Sequence, residues 1–384
     1  MNEIAARKPT PSGAAATGTS RRELVRQAAI GALGLLVAPR LARAEPWRER
    51  RPLVIDALGG LGRPGEETFP LSAGALADAA VSGVAAINLT VAASPDYEEA
   101  VRGIAQAQAE VERHRDRLLL VRRAGEIEEA HATGRLGIIL GFQDGAMIGD
   151  RLDRLDEFHG LGVRIIQPTY NRRNPIGDGC MEPENHGLTP FGRAAVERMN
   201  ELGILVDLSH CGQATTADGI AVSKRPVAIT HAGCAAVVDH PRNKRDVELR
   251  ALAERGGVVG IYWMPYLRTS GQPTSADLLA HLEHALQVCG EDHVGIGSDL
   301  SLSPLELTPA AREAHRKDVE DRKRRGIAAP GEDPEVFLYL PDLNSGRREL
   351  DLADLLAKRG HPSRVIEKIL GENFLRLFRA TWQA

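Results

Sequence analysis

The 384-residue chain is 43% hydrophobic and 26% charged, enough apolar material for a large core, which excludes intrinsic disorder as a class. Its formal net charge of -4 comes from interspersed acids and bases, so the basic footprint of a nucleic-acid binder is missing. At the N-terminus, Ser20-Arg21-Arg22-Glu23-Leu24-Val25 precedes an apolar run from Ala28 to Pro39 and the small-residue stop Ala42-Arg43-Ala44. That is the layout of a twin-arginine export signal, cleaved to leave residues 45–384 as the mature chain, and it predicts a periplasmic or secreted protein. The apolar run is about half of the ~20 residues needed to cross a bilayer, so no stable membrane span is expected.

Beyond residue 50, β-type apolar runs alternate with helix-period stretches. The predicted strands are Leu53–Asp56, Val84–Leu89, Gly137–Phe142, Val163–Pro168, Ile204–Leu208, Val227–Thr230, Val258–Tyr262 and Val294–Gly297. Amphipathic stretches such as Tyr97–Arg113, Arg151–Gly160, Pro190–Leu202, Val247–Arg255 and Ser275–Cys289 supply the crossover helices that parallel strands require. Eight strand-helix units predict an α/β fold of the (β/α)8 barrel type in a single domain. Gly59-Gly60-Leu61-Gly62, after the first strand, lacks the pattern of a dinucleotide site, so no nucleotide cofactor is expected.

Barrel enzymes keep their chemistry at the C-terminal ends of the strands. Here those ends carry Asp56, Asn88, Gln143-Asp144, Tyr170-Asn171, Asp207 with Ser209-His210, His231, Tyr262-Trp263 and Asp299. His210 and His231 offer imidazole nitrogens one strand-helix unit apart, which suits zinc and its neighbours. A third ligand is open among Gln143, Asp144, Asp299, Asp56, Cys211 and Cys234. Asp299 is the natural proton shuttle for a metal-activated water. Arg242, in His240-Pro241-Arg242-Asn243, is placed to hold a substrate carboxylate.

Four cysteines show no CxxC clustering; a disulfide or thiolate ligand among Cys180, Cys211 and Cys234 stays open, and Cys289 reads as a buried thiol. His281 and His284 lack the HExxH frame and read as solvated helix residues, as the basic run Arg322–Arg325 reads as an exposed charged face.

Gly187–Gly192 (GLTPFG), Met199–Gly203, Val206–His210, Pro226–His231, His240–Asn243, Asp292–Asp299 (DHVGIGSD) and Ile369–Phe374 (ILGENF) closely resemble, in order, the motifs of the membrane (renal) dipeptidase family. The resemblance implies a barrel metallopeptidase that binds two zinc ions, cleaves dipeptides and often dimerises. It implies zinc ligation by His210 and His231, a substrate grip by Arg242 with its neighbour Asn243, and catalysis by Asp299. Three departures from the family pattern fall on expected metal ligands: Leu58 and Gly60 stand where a first-strand histidine and aspartate are expected, and Gln143 stands in place of the bridging glutamate. Tyr170 replaces a substrate-contacting histidine. The expectation is a hydrolase of a dipeptide or other small carboxylate-bearing amide, with one zinc ion on His210, His231 and Gln143. An inactive small-ligand binder, or a lyase or isomerase using Asp299 and Tyr170, would fit the same barrel.

Overall fold

The computed structural model describes residues 51–66, 68–92 and 96–382. The leader read from the sequence lies outside the described residues. Strands β1 (Ile55–Gly60), β2 (Ala86–Thr90), β3 (Leu118–Val121), β4 (Leu136–Phe142), β5 (Val163–Ile166), β6 (Leu205–Val206), β7 (Ala228–Ala232), β8 (Val258–Ile261), β9 (Val294–Ile296) and β10 (Leu300–Ser301) alternate with helices along the chain. Among the described residues every ladder between them is parallel.

The path β6-β5-β4-β2-β1-β9-β8-β7 closes through an isolated parallel bridge from Asp207 to Ala228, giving an eight-stranded barrel. Those eight strands are the eight predicted from apolar runs. Two short strands lie off the path. β3 pairs with Leu136–Ile139 of β4, and β5 pairs with the same strand only from Leu140 onward, so β3 occupies the lower part of that edge. β10 pairs with Gly59 and Gly60, which carries β1 past the predicted end at Asp56.

Period-two alternation sorts the strand residues into two packings. Ile55, Ala86, Ile139, Ile165, Leu205, Ala228 and Val258 share a cluster with Phe374, Leu377 and Phe378, so the helix Asn373–Thr381 plugs the N-terminal end of the barrel. Their neighbours Val54, Ile87, Ile138, Ile166, Val206, Ile229 and Val259 face outward into the larger cluster under the surrounding helices. Further along the inward alternation come Asn88, Gln143, Gln167 and Asp207, so the interior turns from apolar to polar towards the C-terminal mouth.

Helices start and stop where capping chemistry places them. Thr189 caps Pro190–Leu202 through the Gly192 N–H, and Gly203 ends that helix at a φ of 78°. Thr308 likewise caps Pro309–Arg324, with Pro309 at the first turn. Among the described residues no helix is long and apolar enough to cross a membrane.

Candidate active site

Four strands deliver the central residues: Gln143 follows β4, Asn171 follows the loop after β5, His210 follows β6, and His231 lies in β7. Asp207, fully buried beneath them, organises the imidazoles. Its carboxylate accepts the backbone N–H groups of Ser209 (3.1 Å) and Thr230 (2.9 Å), and the hydroxyls of Ser209 (2.5 Å) and Thr230 (2.6 Å). The Thr230 hydroxyl spends its one proton on Asp207, so towards His231 Nδ1, 2.9 Å away, it only accepts. The His231 proton therefore sits on Nδ1, and Nε2 carries a lone pair.

His210 reaches the same state by a different route. Asn171 Nδ2 donates to the Ile327 carbonyl at 2.8 Å, which turns its Oδ1 towards His210 Nδ1 at 2.7 Å. Gln143 Nε2 donates to the Thr90 hydroxyl at 2.9 Å, leaving its Oε1 3.2 Å from His210 Nε2. The two Nε2 atoms are 3.0 Å apart. Two imidazole lone pairs and an amide oxygen thus converge with no proton between them. Burial holds both imidazoles well below their ordinary pKa, and the Arg242 guanidinium lowers them further, so neither supplies that proton. A nitrogen, nitrogen and oxygen donor set of this kind fits a divalent cation of the zinc type.

Gln143 and His210 border a cavity of about 170 Å³ walled also by Tyr170, Asn171, Arg242, Asp299 and Arg322, with His231 buried behind His210. Asp299 adopts φ 59°, a left-handed backbone uncommon for a side chain other than glycine, and its N–H is held by the Leu58 carbonyl at 2.8 Å. Surrounding protein raises its carboxyl pKa to about 6, against the opposing pull of Arg242 and Arg322. Arg242 is 2% exposed and donates Nη1 to the Ser209 carbonyl at 2.7 Å, with no carboxylate at ion-pair distance among the described residues. The Tyr170 ring stacks on His210 at 4.1 Å between centroids, and burial keeps its phenol protonated.

A roof formed by the helix Pro309–Arg324 and the loop after it covers the mouth. Arg322 reaches down from this helix, with Nη1 3.4 Å from the Tyr170 hydroxyl and Nε and Nη2 forked onto Glu332 at 2.8 and 2.9 Å. Glu332 also accepts from the Tyr266 hydroxyl and the Ala329 N–H, both at 2.8 Å. The expectation of an exposed basic run therefore fails at Arg322, because Glu332 and Tyr170 fold it over the site.

Other candidates are engaged elsewhere. Asn243 does not line the cavity: its amide donates to the Val238 and Tyr266 carbonyls and accepts from the Tyr262 hydroxyl, which makes it a loop brace. Asp56 accepts from Ser298 and from the Leu58 N–H, and Asp144 from the Ala146 N–H and Asn174, so both carboxylates organise loops. Leu58 is buried, and a side-chain carbon at Gly60 would meet nothing closer than 3.5 Å, so space alone does not exclude a ligand there. All four cysteines are free. Burial raises the Cys211 thiol to about 11 and the Cys234 thiol higher still, neither a ready thiolate ligand. His281 is buried rather than solvated, bridging the Cys234 N–H and the Leu267 carbonyl, and His284 pairs with Asp246 at 2.8 Å.

Comparison with known proteins matches residues 75–308 to the family described as membrane dipeptidase, peptidase family M19. Dipeptidase verJ of Clonostachys rogersoniana is 36% identical over 191 residues, 49% of each chain. Dipeptidase tcpJ of Claviceps purpurea is 29% identical over 274 residues, 70% of this chain and 56% of its own. The chain thus spans about half the length of these curated relatives. Among solved structures, an amidohydrolase from Pseudomonas aeruginosa superposes with a TM-score of 0.76 at 30% identity, covering 88% of this chain and 99% of that one. A metallo peptidase from Rhodobacter sphaeroides, liganded with a phosphinate mimic of L-Ala-D-Ala, shares the fold with a TM-score of 0.69 at 23% identity, covering 86% of this chain and 99% of its own. With its motifs, barrel and matched residues in agreement, the chain belongs to the membrane dipeptidase family.

Proposed function

We propose that this chain is an exported metal-dependent hydrolase that cleaves a dipeptide, or another small amide bearing a carboxylate, with one divalent ion on His210, His231 and Gln143. The observation that carries the reading is the convergence of three lone-pair acceptors, each with its donor side committed to another partner. An ion of the zinc class, when bound there, supplies Lewis acidity and a water of lowered pKa. Leu58 and Gly60 offer no ligand atoms for a second ion. The family's dipeptidases, and the dipeptide mimic held by the Rhodobacter structure, support a dipeptide-sized substrate. The twin-arginine leader supports export.

The chain's own residues divide the work by position. Arg242, buried without a carboxylate partner, receives the substrate carboxylate and fixes the register of the scissile bond. Asp299, with a pKa near neutrality, takes a proton from the attacking water and returns it to the leaving amine. Tyr170 keeps its phenolic proton and donates it as a hydrogen bond to the carbonyl oxygen as charge develops there. The Arg322–Glu332 latch holds the roof closed and bulk water out.

The test is hydrolysis of a small dipeptide panel by the zinc-loaded mature protein, with His210→Ala and Asp299→Asn alongside. Turnover in wild type that falls at least a hundredfold in both variants is expected. Turnover that survives His210→Ala and chelation would overturn the reading.

A further inference from the structure

The barrel mouth holds two chambers, and Asp299 borders both. The smaller, about 170 Å³, contains Gln143, His210, Arg242 and Tyr170. The larger, about 310 Å³, has an apolar wall of Leu300, Leu305, Ala311, Ala314, Phe337 and Leu338, with Asn344 and Arg348 in its polar lining. His315, Asp318 and Leu338 border both, so the chambers adjoin. Leu338 is 38% exposed, one of few large apolar side chains so open among the described residues. An apolar wall left open beside a reacting centre is the usual make-up of a ligand pocket.

The larger chamber lies over the first strand, because Leu300 and Ser301 pair with Gly59 and Gly60. Its roof is built from residues beyond 308, on the helix Pro309–Arg324 and the loop after it.

We infer that the larger chamber binds the group on the carbonyl side of the scissile amide, and that this group is bulky and apolar. The assignment rests on the hydrolase reading above. Arg242 fixes the carboxylate end in the small chamber, and Asp299 at the junction fixes the scissile bond, so the remaining part of the substrate extends into the larger space. The smaller chamber falls below the roughly 300 Å³ of an ordinary ligand site and the larger one reaches it, so the bulk belongs on the acyl side. Ala311 and Ala314, on one helix face, leave room that a larger side chain would fill.

The experiment compares Gly-Ala, Ala-Ala, Leu-Ala and Phe-Ala on zinc-loaded wild type and Ala314→Trp, by turnover and, with Asp299→Asn in each background, by calorimetric binding. Ala314 is exposed on its helix, so the tryptophan does not burden the core. Wild type should favour Phe-Ala and Leu-Ala over Gly-Ala by about ten- to a hundredfold. Ala314→Trp should remove most of that preference while leaving Gly-Ala within about twofold. A flat wild-type profile, or an equal loss across the panel, would overturn the assignment. If no dipeptide is cleaved but Phe-Ala still binds more tightly than Gly-Ala and Ala314→Trp removes the difference, the chamber stands and the hydrolase reading falls. Equal binding of the two without turnover sinks both.

Discussion

Replacing Asn171 with leucine tests the lone-pair argument without touching a proposed ligand. Asn171 is 1% exposed, accepts the His210 Nδ1–H and donates to the Ile327 carbonyl, so one substitution frees the His210 tautomer and unfastens the roof loop. A lost partner behind a ligating histidine weakens metal binding by about 10–100-fold, or about 1.4–2.8 kcal/mol. The orphaned Nδ1–H and carbonyl add about 1–3 kcal/mol of instability. Asn171→Asp keeps the acceptor towards His210 and removes only the donor towards Ile327, so its zinc affinity should equal or exceed that of wild type. The assay is zinc competition against a chromophoric chelator, with thermal melts of the metal-free proteins as the folding control. Equal zinc affinity in wild type and Asn171→Leu, with both folded, would refute the claim that Asn171 sets the state of His210.

Arg242→Met should raise KM for a carboxylate-bearing substrate at least a hundredfold and leave an amidated analogue little changed, while thermal stability holds or improves because an uncompensated buried charge is gone. Asp299 must be ionised to act as a base, so kcat/KM should fall about tenfold per pH unit below a pH of about 6. The stability sign is opposite: the raised pKa means the folded metal-free protein favours the protonated acid, a contribution present below pH 3.8 and lost as pH rises through about 6. Metal-free Asp299→Asn should therefore melt higher than wild type at pH 8 and alike at pH 3.5, in calorimetry at both values. Glu332→Gln breaks the charge-assisted fork to Arg322, and limited proteolysis should cut the roof between residues 325 and 340 at least several times faster.

The barrel was legible because strand burial is periodic: the eight apolar runs are the eight strands of its path, and their polar ends line the mouth. The β3 run, Leu118–Val121, escaped because four residues after a charged helix carry too little pattern to stand apart. His210, His231, Gln143, Tyr170, Arg242 and Asp299 were visible as residue types at strand ends. What the sequence hid is orientation. The acceptor side of Gln143 and the tautomer of His210 depend on Thr90 and Ile327, 53 and 156 residues from Gln143 and Asn171. In sequence Arg322 reads as a solvated charge because its partners Glu332 and Tyr170 meet only once the roof folds, and the identity of Asn243 gives no sign that its amide is consumed by Val238 and Tyr266.

The most direct measurement is metal content by elemental analysis of the purified mature protein after zinc loading and dialysis, in wild type, His210→Ala and His231→Ala. One zinc per chain in wild type and none in either variant is the predicted result. Two ions per chain, or one ion retained without either histidine, would contradict it.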